Sequence, residues 1–106
     1  MIIAGQGSIV NVSCIKGEKP QPGLISYCMS KAGLEMLTKS AAIELARFGV
    51  RVNCIQSSYL NTNMYRRAGL TDLENSSIRN KEWDTNPMGR AATVEEVCES
   101  IVHLTS

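Results

Sequence analysis

The chain has 106 residues, 43% hydrophobic and 20% charged, with 11 basic against 10 acidic side chains and a formal charge of +1. That length makes one domain or a piece of one, and the near-neutral charge gives no drive onto nucleic acid or anionic lipid. Sparse aromatics that do not alternate with Lys or Arg argue against a single-strand nucleic-acid platform, and no apolar stretch is long enough to span a bilayer.

Met1 to Ala4 are apolar but lack the basic start of a secretory leader, so a reducing, cytoplasmic setting is expected. Ser8 to Ser13 read as a short strand preceded by the breaker Gly5-Gln6-Gly7. Lys16 to Gly23, with two glycines and two prolines, read as a loop. From Ser26 to Phe48 the period becomes helical: Leu34, Leu37, Ala41, Leu45 and Phe48 recur at spacings of three and four. Glu35 precedes Lys39 in the favourable ion-pair order. Gly49 is placed to end that helix, and Val50 to Ile55 read as a second strand. Residues 57 to 86 are polar and irregular, with one short helix expected behind a capping box of Thr71 and Glu74. A second box, Thr93 with Glu96, opens a final helix in which Val94, Val97, Cys98, Ile101, Val102 and Leu104 follow the period.

Strand, long helix and strand form a βαβ unit, which implies parallel pairing and a right-handed crossover. The fold class is therefore α/β: part of a Rossmann-like, doubly wound parallel sheet, with a lid and a C-terminal helix. Two parallel strands do not make a whole sheet, because such strands are normally covered on both faces. Residues 1 to 106 are read as one partial domain, with 57 to 86 as its substrate lid.

The four cysteines, Cys14, Cys28, Cys54 and Cys98, match no zinc spacing. Cys28, Cys54 and Cys98 are expected to be small buried hydrophobes, and the lone histidine, His103, to belong to the core. No metal site is expected. Tyr27 and Lys31 lie one helical turn apart on the same face. An ammonium beside a phenol favours the phenolate, moving a pKa near 10 toward the working range for proton transfer. The spacing by itself is weak evidence, and a packed ring beside a solvated lysine is the commoner meaning of it.

Wider context decides between those readings. Gly7-Ser8-Ile9-Val10-Asn11-Val12-Ser13, Ser26-Tyr27-Cys28-Met29-Ser30-Lys31-Ala32-Gly33-Leu34, Ala42 to Ala46 and Gly49 to Asn53 closely resemble the short-chain dehydrogenase/reductase family. The resemblance continues through Thr62-Asn63-Met64, Asn86 to Arg90 and Glu95-Glu96-Val97, covering nearly the whole chain in order. It implies an oxidoreductase that moves hydride between NAD or NADP and an alcohol or carbonyl substrate. By that resemblance Tyr27 is the general acid/base, and Lys31 lowers its pKa and holds the nicotinamide ribose. The serine that helps hold the substrate carbonyl lies thirteen positions before the tyrosine, where this chain has Cys14. A thiol is the weaker donor, and Ser13, one residue earlier, is the alternative. The family's Pro-Gly after the second strand is Ser57-Ser58 here. Those two residues, with Leu60 and Thr62, are expected on the nicotinamide side. Tyr65, Arg66 and Arg67 are placed either to shape a pocket or, the favoured expectation, on a solvated charged face.

No glycine-rich phosphate loop is present, nor the residue that reads the adenosine ribose. The chain is thus expected to be the C-terminal half of such a fold and inactive alone. The other reading is a catalytically inactive fragment that acts only as an interaction or oligomerisation module, paired with itself or with a full-length relative.

Overall fold

The computed structural model describes all 106 residues. β1 (Gly7–Cys14) and β2 (Val50–Ser57) pair in parallel, with Gly7 opposite Val50 and Cys14 opposite Ser57. The crossover between them is α1 (Ile25–Leu45), reached from β1 through a 3-10 turn at Ile15–Gly17. The α/β class and the βαβ unit expected from the sequence are present. A last 3-10 turn, Ala46–Phe48, tightens the end of α1 before Gly49, which has φ 69° and donates to the Ala46 carbonyl at 3.0 Å. A Cβ at Gly49 would run into the Gly5 carbonyl oxygen, so both the left-handed backbone and the close approach require glycine.

Alternate β1 side chains serve two covers. Asn11 and Ser13 meet α1, while the Ser8 hydroxyl donates to the Leu104 carbonyl of α4 (Val94–Thr105) on the other face. The α1 interface is unusually polar for a helix on a sheet. Asn11 Nδ2 donates to Thr38 Oγ1 at 2.9 Å, and Ser13 Oγ donates to Glu35 Oε1 at 2.7 Å. Glu35 and Thr38 are the buried residues of α1. Glu35 therefore does not pair with Lys39 as expected: its carboxylate is turned under the helix, and Lys39 is exposed. Close packing at this point also explains Gly17, where a Cβ would collide with Glu35 Oε1 and lie 3.1 Å from the Ala32 nitrogen.

The apolar core is thin. Val50, Val52 and Tyr59 are its buried members, and the radius of gyration is 16.0 Å, against roughly 13 Å for a compact domain of about 100 residues. Leu37, expected on the inner stripe of α1, is exposed. Cys28 and Cys54 are half-buried rather than buried, while Cys98 and His103 are exposed. On α4 the inward strip is Val97, Ile101 and Leu104, and a two-stranded sheet is too narrow to reach Cys98 or Val102 on the flank.

Both capping boxes form as expected, at Thr71 with Glu74 and Thr93 with Glu96. At the second, Arg90 grips Glu96 with both guanidinium arms (2.9 and 2.6 Å) while the Thr93 N–H donates to the same carboxylate. These contacts hold the Glu96 carboxyl down at about 2. At the other end of α4, Arg51 of β2 donates to the carbonyls of Leu104 and Ser106 (2.9 and 3.1 Å), satisfying groups that the helix leaves open.

Residues 57 to 86 are more ordered than expected. They contain α2 (Met64–Arg67) and the 14-residue α3 (Asp72–Thr85). The less-exposed positions of α3 include Asn75, Ile78, Arg79 and Glu82, a helical period written in mostly polar residues. Hydrophobic periodicity therefore understates it.

Ser13→Ala leaves the Glu35 carboxylate buried without its donor and should cost about 1–3 kcal/mol in urea unfolding. Replacing both residues by apolar ones, Ser13→Ala with Glu35→Leu, should recover most of that loss. A single mutant as stable as the parent would remove the Ser13–Glu35 bond from the account of the fold.

Candidate active site

Parallel strands place their carboxyl ends together, and the first turns of the returning helix lie beside them. A cavity of about 240 Å³ opens there. Cys14 and Ser57, directly paired at the ends of β1 and β2, form its floor, and Ser58 follows. Tyr27 and Lys31 enter from α1, while Leu60 and Thr62 enter from the segment after β2. Every site residue expected from the sequence lines this one cavity: Cys14, Tyr27, Lys31, Ser57, Ser58, Leu60 and Thr62.

Ser13 also borders the cavity, but its hydroxyl is engaged elsewhere. Its side chain is 2% exposed and committed to Glu35, with the Lys31 carbonyl at 3.4 Å, on the face of β1 that meets α1. Cys14 is the first of the side chains that shift Tyr27, after its burial.

The electrostatics of the pair differ from the expectation. Tyr27 is pushed up from 10.0 to about 12, first by burial and then by its interaction with the Cys14 side chain, with Tyr65 and Cys28 adding to the same side. Lys31 does not lower it, because its Nζ donates to the Val12 carbonyl at 2.9 Å and lies 5.7 Å from the centre of the Tyr27 ring. A neutral phenol is therefore the resting state at neutral pH.

Other residues in the cavity carried little sequence signal. Tyr65, expected on a solvated face, is half-buried and stacks on Tyr59 with ring centres 5.6 Å apart. Arg66 does take the expected surface position, paired with Asp72 at 3.0 Å. Lys16, from the turn after β1, meets Glu82 of α3 at 3.1 Å, and Ser58 Oγ donates to the same carboxylate at 3.3 Å. Only the position of Lys16, two residues beyond Cys14, could have drawn attention to it. Glu82 lies 66 residues away in sequence and gave no signal.

A cavity of about 240 Å³ is smaller than the roughly 300–1,000 Å³ typical of drug-sized ligand sites. It suits one end of a dinucleotide or a small substrate. The nicotinamide-ribose end fits the residues present: Lys31 and Tyr27 on one wall, the polar Ser57, Ser58 and Thr62 on another. Thr62 is exposed and accepts only a long 3.4 Å bond from the Met64 N–H, so its hydroxyl is free for a ligand. No residue of this chain forms a glycine-rich cradle for the pyrophosphate.

The family described as Enoyl-(Acyl carrier protein) reductase matches residues 1–106. Among curated relatives, the cis-4-hydroxycyclohexanecarboxylate dehydrogenase of Sinomonas cyclohexanicum is 42% identical over 106 residues, covering 100% of this chain and 40% of the relative. A short-chain dehydrogenase/reductase of unknown function from Caenorhabditis elegans, solved with cofactor, superposes with a TM-score of 0.87 at 31% identity, covering 98% of this chain and 40% of that one. A gluconate 5-dehydrogenase from Burkholderia cenocepacia, solved with NADP and tartrate, gives 0.85 at 27% identity, with 99% and 40% covered. The chain thus spans about two fifths of the length of the proteins it matches.

Spectrophotometric titration should find Tyr27 ionising last, near 12, after Tyr65, which burial also raises above the ordinary tyrosine value. The neutral form of Tyr27 persists through the ordinary tyrosine range, and Tyr27→Phe should remove that late step alone. A latest step unchanged in the variant would reassign the shift.

Proposed function

We propose, since this chain belongs to the short-chain dehydrogenase/reductase family, that it carries the proton-handling and nicotinamide-side part of an oxidoreductase. The reaction moves hydride between NAD or NADP and an alcohol or carbonyl compound. The supporting observation is the convergence of Tyr27, Lys31 and Cys14 with Ser57, Ser58, Leu60 and Thr62 on one cavity at the strand ends. Residues 57 to 86 act as the lid over the substrate. The four free cysteines agree with a reducing, cytoplasmic setting, and no helix is long and apolar enough to cross a membrane.

When bound, the nicotinamide supplies or accepts the hydride. The chain's own contribution is the proton. The Tyr27 phenol carries its proton at neutral pH, but at about 12 it is a weaker acid than a free tyrosine, so it donates to a carbonyl oxygen only as strong negative charge develops there. The same elevation keeps the phenolate scarce, so the reverse direction, alcohol oxidation, gains as pH rises. Lys31 holds its ammonium at the Val12 carbonyl beside the ring. Turning that charge toward the phenol oxygen favours phenolate and reverses the bias. Cys14 occupies the carbonyl-holding position, with a thiol that donates more weakly than a hydroxyl. Burial by Tyr59, Tyr65 and Leu60 limits water around the transferring proton.

Hydride transfer is tested in a longer protein that joins this segment to a glycine-rich nucleotide-binding half, by following oxidation of NADH and NADPH with a panel of small ketones. Tyr27→Phe should lower turnover by about 10²–10⁴-fold while nucleotide binding is retained. Turnover that survives in Tyr27→Phe would dismiss the phenol as proton donor.

Association is supported by a separate observation. Ile25, Met29, Met36 and Ile43 form an exposed stripe along α1, with Leu37 beside it and Ile43 80% exposed. A stripe of this kind fits a second copy of the chain or a longer relative. Met36→Glu should shift the parent's mass in sedimentation toward the monomer without changing its helix content. An unchanged mass would place the interface elsewhere.

A further inference from the structure

We infer that Lys16 and Ser58 form a carboxylate seat inside the Tyr27 cavity, that Glu82 of α3 fills it as an internal ligand, and that a small carboxylate-bearing ligand takes the seat by displacing Glu82. The inference deepens the reading of this cavity as a substrate site. It needs no hydride transfer for its test.

The geometry is that of a two-donor receptor. Each oxygen of the Glu82 carboxylate has its own partner: Lys16 Nζ is 3.1 Å from Oε1 and Ser58 Oγ is 3.3 Å from Oε2. Both donors come from the turns that follow the two strands, whereas the carboxylate comes from α3. The pair is sheltered, with Lys16 and Glu82 side chains 21% and 18% exposed, against 70% and 83% for the surface pair Arg66–Asp72. Charged groups at this depth need partners, and within the cavity the other ammonium, Lys31, is committed to the Val12 carbonyl. Lys16 is thus the cation left to receive a carboxylate in a cavity whose apolar lining includes Val12, Leu24 and Met64.

Glu82 is suited to be an exchangeable occupant. It belongs to a helix with no buried residue, so releasing it returns a carboxylate to water and exposes little apolar surface. Exchange of one carboxylate for another leaves the charge of the seat unchanged and avoids the cost of a bare buried ammonium. A tethered occupant competes at an effective concentration of order millimolar. Free carboxylates therefore bind weakly to the parent and strongly only when the tethered one is removed.

The sole tryptophan, Trp83, follows Glu82 and lies beneath Arg79 with 5.1 Å between guanidinium and ring centre, so its fluorescence reports on the displaced helix. Isobutyrate and its uncharged analogue isobutyramide are titrated into the full 106-residue chain without nucleotide. Ligand-detected NMR gives the affinities and circular dichroism confirms the fold of each variant. Glu82→Gln and Glu82→Ala should each bind isobutyrate roughly tenfold tighter than the parent, the scale of one charge-assisted hydrogen bond. Isobutyramide should gain clearly less than isobutyrate, because its oxygen can accept from the Lys16 ammonium but brings no negative charge to it, and adding Lys16→Gln should abolish the isobutyrate gain. The seat is overturned if isobutyrate gains nothing, if isobutyramide gains as much, or if the gain survives loss of Lys16. Isobutyrate binding is read without nucleotide or turnover, so loss of hydride transfer and loss of the seat are separate results.

Discussion

Parallel pairing of β1 with β2 is the constraint from which the rest of the molecule follows. Two parallel strands cannot be joined by a tight turn, so the chain must return along a helix running opposite to them. The first turns of that helix then lie where both strands end. Tyr27 and Lys31, in the first two turns of α1, arrive beside Cys14 and Ser57, which the register sets directly opposite each other. A slip of one residue would exchange the inward and outward side chains of a strand. Ser13 would then face Tyr27, and Cys14 would meet Glu35.

The polar contacts beneath α1 protect that register. Asn11 and Ser13 alternate toward Thr38 and Glu35, and each bond is satisfied only in the observed pairing of strand and helix. Apolar contacts alone tolerate sliding, whereas buried donors and acceptors left without partners do not. The arrangement gives specificity at the cost of apolar burial, and it leaves the hydrophobic residues of α1 largely on the outer face. Ile25, Met29, Met36 and Ile43 face away from the sheet that the helix covers.

Most of the architecture was legible because it rests on local rules. The glycine at the end of α1, the two Thr–Glu boxes and the change of period from two to 3.6 each state their structure within a few residues. The site was legible through the spacing of Tyr27 and Lys31 together with the flanking family-like segments. What escaped depends on partners distant in sequence. Glu35 offered a plausible neighbour in Lys39, but burial against Ser13 decided its contact. Glu82 acquires meaning only once α3 is laid across the turn that carries Lys16. The upward shift of Tyr27 comes first from its burial and then from Cys14, and residue order does not specify that burial.

The two capping boxes also set an order of assembly. Each closes within four residues, Thr71 on Glu74 and Thr93 on Glu96, so the start of each helix is encoded locally and can form on the sub-microsecond scale of helix growth. The sheet must instead bring residue 7 to residue 50 across the whole crossover, a loop closure whose entropy is lost before any ladder bond compensates it. Helices of 14 and 12 residues are marginal alone. Each therefore depends on the paired strands for its persistence, and the carboxyl-end cavity, which needs both strands and α3, depends on all of these contacts at once.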